Sequence, residues 1–117
     1  MIKNKTGVWG ELFTARYLRK EGYKILTSNY VCRFGEIDIV ALKGNVLCFV
    51  EVKTRNEKTG IRPMEAVDSG KRSRLEMAAK SFMSYSGMLC TVRFDVSEVY
   101  LDDNSKLKNI NYIENAF

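Results

Sequence analysis

Residues 35–54 read GEIDIVALKGNVLCFVEVKT, and their reading decides the fold. Apolar, largely β-branched residues crowd both halves, which is a strand signature. Gly44-Asn45 between them is a favoured two-residue hairpin turn. With that turn Leu42 faces Leu47, Val40 faces Phe49, Asp38 faces Glu51 and Glu36 faces Lys53. Strand side chains alternate with period two, so these eight share one face. The opposite face carries Ile37, Ile39 and Ala41 against Cys48, Val50 and Val52. Both faces are apolar near the turn, so the hairpin is expected to be central and covered on both sides.

The far end of the first face is different. Asp38 across from Glu51 places like charges in a repelling position. Adjacent buried carboxylates either raise one pKa or hold a cation. Two oxygen-rich side chains on a rigid hairpin suit a hard divalent ion. With no histidine in the chain and no CxxC, Mg²⁺ or Mn²⁺ is the expected metal. Such an ion binds phosphate oxygens and lowers the pKa of a bound water. Lys53, two residues past Glu51, points to the same face and is placed to orient that water or offset charge on a phosphate. The competing expectation is a structural ion cluster of Asp38 and Glu51 with Arg33, Arg55 and Lys53.

Outward from the hairpin, residues 7–21 are expected to form a helix stopped by Gly22. A short strand is expected over residues 23–30. A polar loop at 55–62 leads to Pro63, which suits the first turn of a second helix, with Glu65 behind it. That helix runs to about residue 85 and ends at Gly87. Residues 88–100 form another strand, with Cys90, Val92, Phe94 and Val96 on one face. A weaker strand signal lies at 110–113. The class is α/β: a mixed sheet with a central antiparallel hairpin flanked by helices, in the order α-β-β-β-α-β.

The chain has 117 residues, enough for one domain spanning 1–117 and too few for a second core. Hydrophobic residues at 45% and charged residues at 28% exclude a disordered or fibrous protein. The longest apolar run, residues 46–50, is too short for a signal peptide or a membrane span, so no membrane partner is expected. Without histidine, imidazole-based catalysis is excluded. Cys32, Cys48 and Cys90 are odd in number and far apart, as expected of reduced core residues in a cytoplasmic protein. The net charge is +5, and residues 53–74 hold seven basic and three acidic side chains. A polyanion should meet that region first.

Two residues break their local pattern. Glu11 lies on an otherwise apolar helical arc with Val8, Ala15 and Leu18. Lys71 falls in line with Val67, Leu75, Ala78 and Phe82. Glu11 is a further candidate metal ligand, and Lys71 a candidate phosphate contact or partner of a site acid. Snorkelling at a helix edge accounts for either one equally well. Trp9, Phe13 and Tyr17 share helical spacing and are expected in the core rather than as a base-stacking platform.

The ordered set Gly35-Glu36-Ile37-Asp38-Ile39-Val40-Ala41 and Phe49-Val50-Glu51-Val52-Lys53-Thr54-Arg55 resembles the YraN-like family of small bacterial proteins. The likeness extends to Gly10-Glu11, Ala15, Tyr17-Leu18, Gly22-Tyr23, Ile25-Leu26, Asn29, Glu65-Ala66-Val67, Lys71 and Asn115-Ala116-Phe117. That family resembles in turn the PD-(D/E)XK nucleases and the archaeal Holliday-junction resolvases. The resemblance implies a restriction-endonuclease-like core and an Mg²⁺- or Mn²⁺-dependent endonuclease acting on DNA rather than RNA, branched or structured DNA included. It implies Asp38, Glu51 and Lys53 as catalytic residues. Asp38, Glu51, Glu11 and the Val52 carbonyl become metal ligands, with Glu36 and Lys71 as accessories. No proline precedes Asp38, which departs from the superfamily pattern.

Arg33, Arg55, Arg62, Arg72 and Arg74 would position phosphates. A junction cutter needs two active sites, hence a twofold homodimer. The alternatives are a non-catalytic nucleic-acid-binding module and a protein-interaction module on the same fold.

Overall fold

A computed structural model describes residues 5–56 and 69–117. Helix α1 spans Lys5–Lys20, followed by β1 (Lys24–Cys32), β2 (Gly35–Lys43) and β3 (Val46–Asn56). Helix α2 (Ser69–Ser86), β4 (Thr91–Leu101) and β5 (Leu107–Ile113) complete the order. Arg62, Pro63 and Glu65 lie outside the described residues, as does the expected start of the second helix. The five strands form one sheet in sequence order, β1-β2-β3-β4-β5. All neighbours are antiparallel except β3 and β4, which run parallel with α2 as the crossover. The expected mixed α/β core is thus present, extended by the fifth strand.

Local chemistry sets these boundaries. Arg19 and Lys20 close α1 where the helix dipole favours cations. Gly22 follows at φ 94°, with its N–H on the Arg19 carbonyl and the Tyr23 N–H on the Leu18 carbonyl. That is a Schellman arrangement, and it turns the chain straight into β1. At the β2–β3 hairpin Lys43 pairs with Val46 and only Gly44 takes positive φ, as a type II′ turn requires. The observed register is the expected one from Lys43–Val46 to Ile39–Val50.

The sheet separates two cores. On one face Val40, Leu47 and Phe49 pack under Leu75, Ala78, Ala79 and Phe82 of α2. On the other, Ile39, Ala41, Cys48 and Val50 pack under Ala15 and Leu18 of α1. The hairpin is covered on both sides, as its pattern demanded. Trp9 departs from expectation: it is 41% exposed and stacks on Phe13 along the outside of α1, with ring centroids 5.9 Å apart. The buried line of α1 runs instead through Gly10, Thr14, Ala15 and Leu18.

Gly10 lets α1 settle directly on β3. A Cβ at this position would lie 1.7 Å from Thr54 Oγ1 and 2.9 Å from Thr54 Cβ. Gly10→Ala should therefore destabilise by about 1–2 kcal/mol net, overpacking outweighing the helix propensity gained. Thr54→Ala should recover part of the loss, because it removes the Oγ1 contact and a buried hydroxyl lacking a hydrogen-bond partner while leaving the Cβ contact in place. Urea unfolding of the two single variants and the double variant measures this coupling; strictly additive effects would contradict the close approach.

Candidate active site

The β2–β3 ladder stops at Ile39–Val50, one rung short of the acids. Beyond it the Val52 N–H donates to Asp38 Oδ2 at 2.8 Å. A side-chain carboxylate thus takes the place of a strand carbonyl. The strict alternation of β2 breaks at the same point: Ile37 packs in the α2-side core, while Ile39 lies in the α1-side core. Two expectations are corrected here. Ile37 does not share the face of Ile39, and neither Asp38–Glu51 nor Glu36–Lys53 is a ladder rung. The acids converge by another route.

Asp38 and Glu51 line one cavity of about 270 Å³, with Phe34, Gly35, Glu36, Lys71, Arg74 and Leu75. Both carboxylates are buried, at 7% and 6% exposure. Glu51 Oε1 receives two ammonium groups. Lys53 Nζ is 3.0 Å away, and Lys71 Nζ is in direct contact with the same oxygen. Lys71 also feels the charge of Asp38. Two lysines thus offset the like-charge repulsion that the hairpin pattern implied.

The arginines of the expected ion cluster have other contacts. The Arg33 guanidinium lies over the Phe34 ring, 4.7 Å from its centroid. Arg55 donates to the Thr54 carbonyl at 3.0 Å.

These contacts shift the ionisation of the group. Burial pushes the Glu51 carboxyl up, but Lys53 and Lys71 outweigh burial and hold it below its ordinary 4.5. Burial pushes the Lys53 ammonium down from 10.5, more than Glu51 restores. For Lys71 burial acts downward too, yet hydrogen bonding to Glu51 and its neighbours leaves it raised. A depressed folded-state carboxyl pKa stabilises the fold above the unfolded value and loses that contribution as pH falls through the folded one. The stabilisation due to Glu51 should therefore be complete above pH 4.5 and fade below it. Urea midpoints from pH 6 to pH 2 should fall less steeply in Glu51→Gln than in the parent; equal slopes would refute the assignment.

The remaining candidates divide. Glu36 lines this cavity and also an adjoining one of about 470 Å³, which holds Glu11, Arg19, Ser28 and Asn29. Glu11 does not line the cavity of Asp38 and Glu51; it belongs to the neighbouring hollow. Arg74 is on the wall of the first cavity. Arg72, one residue after Lys71, packs on the Phe117 ring at 5.4 Å. The carboxylates on the first cavity are those of Glu36, Asp38 and Glu51, and Val52, next to Glu51 in the chain, is not among its lining residues. Among the described residues no three or more His, Cys, Asp or Glu side chains come together as a metal-binding group.

Sequence reading missed a second polar cluster, at the opposite side of the sheet. Asp95 is fully buried on β4. Its carboxylate accepts from Arg93 Nε and Nη2, both at 2.9 Å, from the Tyr112 hydroxyl at 2.6 Å and from the Asn115 N–H at 2.9 Å. Arg93 also donates to the Tyr23 hydroxyl at 2.6 Å and pairs with Glu114 at 3.3 Å. Burial, with Asp95 nearby, pushes the Cys48 thiol up to about 12, so this cysteine is an inert core residue. The available signal was Arg93-x-Asp95, opposite charges two apart on one strand face. No described helix is long and apolar enough to cross a membrane.

Comparison with known proteins agrees with the likeness noted in the motifs. The family model described as uncharacterised protein family UPF0102 matches residues 10–99. A UPF0102 protein of Alkaliphilus metalliredigens is 43% identical over 99% of this chain and 100% of its own length. Another, from Caldanaerobacter subterraneus, is 43% identical over 98% of this chain and 96% of its own. A third, from Clostridium perfringens, is 38% identical over 95% and 92%. The matched residues run from Gly10, where α1 meets β3, through Asp38, Glu51, Lys53 and Lys71 to Val99, so the chain belongs to the UPF0102, or YraN-like, family.

Proposed function

We propose that this protein hydrolyses phosphodiester bonds in DNA with the help of a divalent metal ion. One observation carries the reading: acids from two adjacent strands open into a single cavity, with a lysine two residues beyond the second acid touching it. The donor set fits Mg²⁺ or Mn²⁺, which bind through one or two carboxylates and complete their shell with water and substrate phosphate. Asp38 and Glu51 would hold the ion, with the Val52 carbonyl beside them. Glu11 belongs to the adjoining hollow and would act through Glu36 or on the substrate. When bound, the metal supplies Lewis-acid polarisation of the phosphate and a more acidic water.

The chain's own groups do the rest. Asp38 is pinned by the Val52 N–H, so its carboxylate needs no reorganisation during reaction. Lys53 is mostly buried, where an ammonium acts more strongly on developing phosphate charge than it would in water. Arg74 on the cavity wall and Arg33 beside Phe34 at the β1–β2 turn would receive backbone phosphates. Arg55, Arg62 and Arg72 belong to the same basic stretch of sequence and would add further phosphate contacts. Such contacts position the strand without reading its sequence.

A second reading, nucleic-acid binding without cleavage, is favoured by one feature: two lysines already balance the two acids. An assay on duplex, single-stranded and branched DNA and on RNA, with Mn²⁺, Mg²⁺ or chelator, separates the two. The nuclease reading expects metal-dependent cutting that disappears in Asp38→Ala while binding persists. Salt-sensitive binding indifferent to metal, with no cutting of any substrate, would establish the second reading instead. Preference for branched DNA would call for paired sites, and sedimentation of the protein should then show a homodimer.

A further inference from the structure

We propose that Lys71 is a displaceable counter-ion, its ammonium occupying at Glu51 the place a divalent cation takes and leaving it when one binds. The inference rests on the metal-dependent reading above. Two lysines on one carboxylate oxygen bring two positive charges to Glu51, the charge a divalent ion would bring. Lys71 also senses Asp38, so its ammonium sits within the field of both expected metal ligands.

Of the two lysines, Lys71 is the one able to leave. Its side chain is 29% exposed against 12% for Lys53. It reaches Glu51 from α2, across from the strand that carries Lys53. Its ammonium is drawn to the Glu51 carboxylate and to the charge of Asp38. A cation that neutralised them would remove that attraction and add repulsion at short range. A long, flexible lysine stem then swings its ammonium away from Glu51, within the cavity whose wall it shares with Arg74. The released charge would meet a substrate phosphate only once metal is loaded, so metal binding and substrate binding reinforce each other.

Calorimetric titration of the intact protein with MnCl₂ tests this. Lys71→Met should bind Mn²⁺ about tenfold more tightly than the parent, since one like charge has been removed from the site. Lys71→Arg, which keeps the charge, should not show that gain. Methionine is a good helix former and this position is partly open, so the variant should fold, and circular dichroism verifies it. A second measurement needs no variant at Lys71. Acetylation of Lys71, followed by mass spectrometry, should rise several-fold when Mn²⁺ is added to the parent, and should be high with or without metal in Glu51→Gln.

Equal or weaker Mn²⁺ binding by folded Lys71→Met would overturn the counter-ion role. If the parent still bound Mn²⁺ and Glu51→Gln did not, the metal-dependent reading would survive that result. A parent protein that binds no Mn²⁺ would overturn both.

Discussion

Lys53→Met should reduce DNA cutting by about 10²–10³-fold while leaving DNA binding nearly unchanged. The side chain at this position is 12% exposed and touches Glu51, so on the nuclease reading it acts inside a site of low dielectric rather than on the rim. Methionine keeps the length and apolar stem and removes the charge. The fold should tolerate it, because Lys71 still neutralises Glu51. Strand β3 is paired with β4 along its whole length, from Val46 to Asn56. Binding should persist because the phosphate contacts assigned to Arg33 and Arg74 are untouched. Single-turnover cleavage and equilibrium binding on one labelled substrate measure both quantities. A cleavage rate within a few-fold of the parent would remove Lys53 from the machinery and point to cutting elsewhere.

The largest effect on stability should come from Asp95→Ala, a loss of about 3–5 kcal/mol. Nothing of Asp95 is open to solvent, and its two oxygens satisfy Arg93, Tyr112 and the Asn115 N–H together. Removing it leaves a partly buried guanidinium and a partly buried phenol facing a void. It also frees the chain after β5, which Asp95 and the Phe94 carbonyl hold through Asn115 and Ala116. Beyond that clasp the Phe117 ring stacks on Phe94 at 5.4 Å and carries Arg72 on its other neighbour contact. The damage should therefore reach α2 at Arg72. Asp95→Asn keeps the shape but not the charge and should lose less. Urea unfolding decides it: a change under about 1 kcal/mol for Asp95→Ala would mean the cluster is not a structural hub.

Much of the architecture was legible along the chain. The Gly44-Asn45 turn and the two apolar runs beside it defined the hairpin and its register, because a two-residue turn allows only one pairing that buries both faces. Gly22 marked the end of α1 for the same local reason. Local periodicity also brought Asp38, Glu51 and Lys53 under suspicion together. It was wrong about how they meet. A ladder extrapolated one rung too far set Asp38 across from Glu51, whereas the strands part there and Asp38 takes the Val52 N–H. No residue pattern announces where a ladder ends, because that depends on the twist of the whole sheet.

Trp9 failed for a related reason. Helical spacing gives a stripe, but which stripe turns inward was decided by Gly10 against Thr54, a contact between residues far apart in sequence.

The sequence by itself determined the elements, the hairpin register and the residue types at the candidate site, all of which follow from neighbours within a few positions. Only the tertiary structure decided that Lys71, twenty residues past Glu51, reaches the same carboxylate as Lys53. It alone separated Glu11 from the cavity of Asp38 and Glu51, and it alone collected Tyr23, Arg93, Tyr112 and Asn115 around Asp95. The physical reason is that buried charges seek partners through space. Those partners are set by how α1 and α2 lie on the two faces of the sheet, which no local pattern encodes.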